Sequence, residues 1–398
     1  MQPKQKKLGT EWPLPEELMT EILLRLPVKS LLRFKLVCKP LNSLISDTHF
    51  VKLHLRRCSA SNANPLVIFF PPCDFDDDIS SLRIKSFLKP PPSTITNELH
   101  RLRSSWNDPY LPIGSCNGLV CLIGTHYSNH DQHFFWVCFW NPTTRSTSQK
   151  SFTLPIMSEH VNMSGQVHSY LYVNCGFGYD YMSNAYKVLF IEKNQDVLVF
   201  NMGDNNWRHV GCFPSDLTTL VGRDRIGVHF NGTLNWLVIR KIYENDFHCE
   251  INKYNIKWDN GSCMILSFDF DKEEFVRLML PAMPHKFSDP HLGVLCEHLC
   301  VSHKDERNNF VIWQMKEFGV DVSWTKLLSI NHDKDLLPHN LPLPFGFPLY
   351  MFDNGDVLML PEMFLYNHRD NRVDPLEIPT NIFASSAVIC SESMISPH

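Results

Sequence analysis

The densest set of potential metal donors in this 398-residue sequence is His126, His130 and His133 with Asp131. A structural zinc site needs four ligands at set spacing, and nothing nearby completes one. The cluster is expected in a solvated segment between strands. Cys296, His298 and Cys300 alternate and would share one face of a strand. With no second ligand pair they are expected to be buried small residues of a sheet. Gly176-Phe177-Gly178 lacks the third glycine and the helix of a dinucleotide site, so a strand or bend is expected. His368-Arg369-Asp370 has the order of a kinase catalytic loop without the glycine-rich loop or strand lysine, and is expected to be a turn. Arg223-Asp224-Arg225 and the Arg101, Arg103 pair are too sparse to track phosphates. No Walker, G-x-S-x-G or H-E-x-x-H sequence occurs. The linear order therefore predicts no catalytic residue, no metal, no cofactor and no nucleic-acid partner. Binding is the chemistry left to explain.

The elements that would present a binding surface fall into two modules of unlike charge. Net charge is −5, yet residues 1–57 hold eleven Lys or Arg against five Asp or Glu. The remainder is correspondingly acidic, which points to separate units. From Leu14 to Leu55 the apolar residues have helical spacing: Leu14, Leu18, Ile22 and Leu26 recur every four residues, and Met19 and Leu23 widen the stripe. Pro15 with Glu16 and Glu17 suits a first helical turn. Pro27 ends that helix, and Ser30 is read as helping to start a second, which runs to Pro40. A third short segment, Leu41–Ser46, precedes Thr48–Leu55. Three short helices of some 42 residues can bury only part of this apolar surface among themselves. The remainder is expected to face another protein.

Beyond Arg57 the pattern changes to short apolar runs cut by Gly, Asn, Asp and Pro, the mark of strands and turns. Aromatics make up 12% of the chain and prolines number 27, which suits sheets better than a bundle. A weak repeat appears, roughly 55 residues long: a strand, an aromatic followed by Asn or Asp, a turn, a return strand. Its markers are Phe139, Phe200, Phe268, Trp313 and Tyr366. Two hairpins per unit is the content of one propeller blade. Five units span about 113–378. Leu66–Phe70 and Arg83–Leu88 would begin a sixth, which Phe383–Ile389 would close by pairing back. The fold class is therefore α+β multidomain: a three-helix domain followed by an all-β propeller-like domain of about six blades. A sandwich or open meander of the same hairpins is the competing architecture.

The boundaries expected are a basic tail (1–13), a helical domain (14–57), a linker (58–64), the β domain (65–392) and a C-terminal tail (393–398). No apolar leader follows Lys4, Lys6 and Lys7, and no run approaches the ~18 residues of a membrane helix. Thirteen cysteines, odd in number and without C-x-x-C, read as reduced thiols. A soluble intracellular protein of the nucleus or cytoplasm, with no membrane partner, is expected.

Leu14-Pro15-Glu16-Glu17-Leu18, Ile22–Leu31 and Arg33–Lys39 resemble the F-box motif, particularly its plant form. Ile113–Cys121, Trp140-Asn141-Pro142-Thr143-Thr144-Arg145, Gly176–Asp180, Tyr186-Lys187-Val188, Phe230-Asn231-Gly232 and Leu266-Ser267-Phe268-Asp269 look like the F-box-associated domain of plant F-box/kelch-repeat proteins. The chain departs from these patterns in two places. Leu41 stands where the family usually has Trp, and no Gly-Gly pair of the kelch signature occurs.

The resemblance implies a substrate-recognition subunit of a Skp–cullin–F-box ubiquitin ligase. Its helical domain would dock on a Skp-type adaptor, and through it a cullin, while the β domain holds a protein target for ubiquitination. Such a subunit is not an enzyme. On this reading Leu14, Pro15, Leu18, Ile22, Leu26, Pro27, Leu31, Leu32 and Val37 contact the adaptor. The target surface would lie on propeller loops; Trp106, Asp131 and Tyr243 lie in such loops, and no target-contacting residue is assigned. Three other functions share the architecture: a propeller scaffold that does not direct ubiquitin transfer, a protein of the S-locus F-box type recognising a ribonuclease, and a propeller enzyme.

Overall fold

The fold is taken from a computed structural model of the chain. The structure describes residues 14–60, 64–71, 78–88, 98–102, 110–127, 133–152, 174–192, 194–204, 206–219, 225–240, 263–281, 287–307, 309–331, 347–359, 364–376 and 386–397. Four helices open it: α1 (Glu16–Leu23), α2 (Val28–Phe34), α3 (Lys39–Ser46) and α4 (Thr48–Ala60). The expected three become four because of Asp47. Its backbone is extended, which ends α3. Its carboxylate accepts hydrogen bonds from the amides of His49 (2.9 Å) and Phe50 (3.1 Å), capping α4. Pro15 and Pro27 occupy the N-cap positions of α1 and α2, where a missing amide hydrogen costs little. Ser30, expected to help start the second helix, lies inside it.

Leu23, Leu24, Val28, Leu31, Leu41, Ile45 and Phe50 form the bundle's own core or its buried lining. His54, buried on α4, ties that helix to the α1–α2 turn through Nε2 and the Leu26 carbonyl, 2.9 Å apart. Among the described residues no helix is long and apolar enough to cross a membrane.

From Leu66 to Cys390 the described strands make five sheets: three of four strands, one of five and one of nine. The expectation of about six separate blades is thereby corrected. In the nine-stranded sheet, Ile226 and Gly227 pair in parallel with Cys175 and Gly176, and two meanders fuse along that seam. Glycine makes the approach close: a Cβ on Gly176 would meet Leu234 at 2.8 Å, and one on Gly227 would meet Trp236 at 2.5 Å. Arg83–Leu88 is not a strand either. The strand Asp78–Arg83 ends where a 3-10 turn, Ile84–Leu88, begins. That turn buries Ile84 and Phe87, which its three-residue period places on one side.

The repeat marker has a structural cause. Asn141 accepts hydrogen bonds from the amides of Thr143 and Thr144, and Asp269 from those of Asp271 and Lys272. Asn367 does the same for Arg369 and Asp370. Each side chain builds the turn that reverses its strand, and Arg145, Glu273 and Asn371, four positions on, all have positive φ. Closure is by Ser386–Cys390, which pairs antiparallel with Leu66–Phe70, as the sequence predicted for the segment ending at Ile389. The described cysteines are free thiols. Burial pushes Cys116, Cys175 and Cys300 up to about 12, so they pack as inert small residues.

Candidate functional site

The sequence-predicted contact residues divide by face once α1 and α2 are built. On α1, Met19 and Leu23 turn toward the bundle core, while Leu14, Leu18 and Ile22 line the adjoining strip and remain exposed. Leu18 keeps 53% of its surface exposed. The wide apolar stripe is thus split lengthwise, half core and half surface. Val37, beyond the end of α2, is 67% exposed. Pro15 and Pro27 are exposed at the helix starts. Leu26 and Leu32 are half-buried, Leu26 packing against the bundle core.

Leu31 departs from the prediction. It is fully buried, among Leu23, Leu24, Leu41, Ile45 and Phe50, and offers no surface to a partner. Leu41 is likewise 9% exposed and belongs to that core. The position where an aromatic was expected therefore serves packing of the bundle here. Phe34 and Leu36 are surface residues that sequence reasoning left off its site: Phe34 is exposed, and Leu36 is 88% exposed. Their membership of Arg33–Lys39 was the available signal. Of fourteen large apolar side chains exposed among the described residues, six lie between Leu14 and Val37. Exposure is concentrated where the chain is also basic, with Arg33 and Lys39 exposed beside it. Arg57 and Arg25 both reach Glu21, at 3.1 and 3.8 Å, through largely exposed side chains. Such pairs contribute roughly 0–1 kcal/mol and do not order the surface.

What positions this module is the end of the chain. After the closing strand, Ser391–Pro397 runs between the β body and the helices. Glu392 pairs with Arg83 at 2.6 Å. The Asn141 amide donates to the carbonyls of Ser393 and Ile395. Met394 packs against the helical core, and Ile395 against the core around Ile113, Leu119 and Phe139. Two consecutive side chains thus contact different cores, so one short segment grips both modules.

His130, Asp131, Trp106 and Tyr243 lie outside the described residues, as does the side chain of His133; His126 is exposed on the strand Leu119–Tyr127. Cys296 does not share a strand face with His298 and Cys300. With Glu297 it forms a two-residue turn in which both have positive φ, and Cys296 is exposed while Cys300 is buried. Gly176–Gly178 is strand and His368–Asp370 is turn, as expected. A cleft of 210 Å³ between the 3-10 turn and the hairpin at Tyr350 is lined by Ile84, Lys85, Leu88, Tyr350, Phe352, Asp353 and Asn354.

Two family models match the chain. The F-box domain model covers residues 13–53, and the model described as the F-box associated beta propeller domain covers residues 75–382. An F-box/kelch-repeat protein of Arabidopsis thaliana is 30% identical, with 97% of this chain and 96% of the relative covered. The F-box protein CPR1 of the same plant is 25% identical over 87% of this chain and 79% of its own length.

Proposed function

Because the chain belongs to the F-box proteins that carry an F-box-associated β-propeller domain, we propose that it is the substrate-recognition subunit of a Skp–cullin–F-box ubiquitin ligase. The observation that carries the reading is the exposed half of the α1 stripe, Leu14, Leu18 and Ile22, together with Phe34, Leu36 and Val37. A side chain of this size contributes about 1.5–3 kcal/mol when a partner buries it fully. Leu14, Leu18, Ile22 and Phe34 keep 39–53% of their surface exposed in the free chain, so each contributes about half of that, and together they supply part of the binding energy rather than all of it. The basic charge around them suits an acidic Skp-type adaptor and speeds its encounter.

The β domain then holds a protein target, and no bond is made or broken by this chain. Its contribution is effective concentration: a target tethered near the transfer machinery meets it as an intramolecular partner. The strap Ser391–Pro397 matters to that scheme because it sets the helical docking surface relative to the target-binding body. Replacing Leu18 and Ile22 together by alanine tests the reading. Co-purification with a Skp-type adaptor should be lost while the β domain stays folded by circular dichroism. Undiminished capture of the adaptor rejects the assignment.

A further inference from the structure

The outer hairpin of the nine-stranded sheet, formed by Asp196–Asn201 and Asn206–Cys212, carries a cluster that neither the sequence motifs nor the adaptor function uses. Asp196, His209 and Cys212 bring one carboxylate oxygen, one imidazole nitrogen and one thiol sulfur within 4.8 Å of one another. In a regular strand, positions 209 and 212 point to opposite faces. Here a bulge corrects the parity. Asp196 pairs with Cys212, Val197 with Gly211, and Leu198 with His209, which leaves Val210 as the extra residue. The inserted residue turns His209 onto the face that Asp196 and Cys212 already share. Gly211, at φ 150, has nothing within 4 Å of where a Cβ would stand, so the bulge lies open to solvent.

We propose that Asp196, His209 and Cys212 form a zinc site at the end of this hairpin, with a fourth coordination position open to water. Oδ1 of Asp196 is 3.2 Å from Nε2 of His209 and 3.5 Å from Sγ of Cys212. Ligand atoms on a tetrahedral zinc, at Zn–O and Zn–N of about 2.1 Å and Zn–S of about 2.3 Å, stand about 3.4–3.6 Å apart. The two edges at Asp196 are close to that spacing, and the third pair of ligand atoms lies within 4.8 Å. The donor set of thiolate, imidazole and carboxylate is one that zinc accepts and the harder magnesium and calcium do not. The second oxygen of Asp196 is held by the Asn194 side-chain amide at 2.7 Å, which fixes the carboxylate with Oδ1 toward the site. His209 and Cys212 are exposed, giving the ion an entry path. The strand that ends at Cys212 is an edge of its sheet among the described residues. A metal joining Asp196 to that edge would fasten it where hydrogen bonding stops.

The test uses the full-length reduced protein, loaded with zinc against a chromophoric chelator and, separately, with cobalt as a spectroscopic stand-in. Wild type and the control Cys38→Ser, which removes another exposed thiol, should bind the ion equally. Cys212→Ser and His209→Ala should each bind at least about tenfold more weakly, with unchanged circular dichroism because both side chains are exposed. Cobalt-loaded wild type should show the sulfur-to-metal charge-transfer band and intense visible absorption of a tetrahedral thiolate complex. Cys212→Ser should lack the charge-transfer band. Equal zinc affinity in wild type and Cys212→Ser, or a weak octahedral cobalt spectrum in wild type, would overturn the proposal.

Discussion

Asn141 holds Ser393 by two contacts across 252 residues of sequence: its side-chain amide nitrogen lies 3.1 Å from the Ser393 carbonyl and 3.4 Å from the Ser393 hydroxyl. The same nitrogen donates to the Ile395 carbonyl at 2.8 Å, and the amide oxygen accepts from Thr143 and Thr144. One fully buried side chain thus shapes its own turn and anchors the strap that carries Met394 to the helices.

The two ends of that amide are separable. Asn141→Asp keeps the acceptor for the Thr143 and Thr144 amides but sets a carboxylate against two carbonyls. Asn141→Ala removes both functions. Each leaves buried polar groups unpaired and should cost about 2–4 kcal/mol in denaturant unfolding. Asp at 141 should free the strap while preserving the turn. Amide hydrogen exchange should then rise at Ser393–Ile395 and stay low at Thr143 and Thr144. Unchanged exchange along the strap would show that Asn141 does not anchor it.

Met394 should couple the modules. In Met394→Asp a charge faces the core of Leu23, Leu31 and Phe50, and desolvating it is unfavourable unless the strap moves away. Protease cleavage within residues 14–60 should accelerate several-fold, with the near-ultraviolet spectrum of the tryptophan-rich β body unchanged. Gly118→Ala should act on the same strap from the other side. Gly118 has φ 83, and a Cβ there would collide with Ser393. A Gly118→Ala protein with wild-type protease resistance would separate the glycine from the strap.

His229 predicts an acid-sensitive body. Its Nε2 lies 3.2 Å from the Tyr179 carbonyl and its Nδ1 3.7 Å from the Cys116 sulfur. Burial holds its imidazole down at about 4, the Tyr179 carbonyl pulling the other way. A histidine free at 6.5 when unfolded binds its proton first in the unfolded chain. The neutral ring's contribution is therefore full above pH 6.5 and is lost as pH falls toward 4. The loss should be on the order of 2–3 kcal/mol. His229→Gln should flatten the denaturation midpoint between pH 7 and 4.5 relative to wild type. An equal slope in both would remove His229 as the cause.

How much of this was legible in sequence depends on the range of the interaction. The α1 stripe and the turn-forming Asn141, Asp269 and Asn367 are local, and their spacing announced them. Fusion of two meanders at Gly176 and Gly227 was hidden, because it depends on Leu234 and Trp236 filling the glycine spaces. The fourth helix was hidden in a single Asp47 cap. The strap was invisible: nothing in Ser393, Met394 or Ile395 announces that partners 252 residues earlier will hold them. Leu31 was misassigned for a related reason. Periodicity gives the width of an apolar stripe, and only packing decides which edge of it is core.

That last distinction can be measured on two variants of the same module. Leu31→Ala empties a fully buried position and should lower stability of the helical module by about 2–5 kcal/mol. Any loss of adaptor capture should then follow unfolding and be restored at lower temperature or with added osmolyte. Leu18→Ala with Ile22→Ala removes exposed side chains, so stability should change by less than about 1 kcal/mol. Adaptor affinity should fall at least tenfold, with no recovery under the stabilising conditions. Surface and core make opposite demands on the two measurements, thermal unfolding and adaptor titration. If Leu31→Ala leaves the thermal midpoint unchanged yet abolishes binding, Leu31 belongs to the docking surface and not to the core of the bundle.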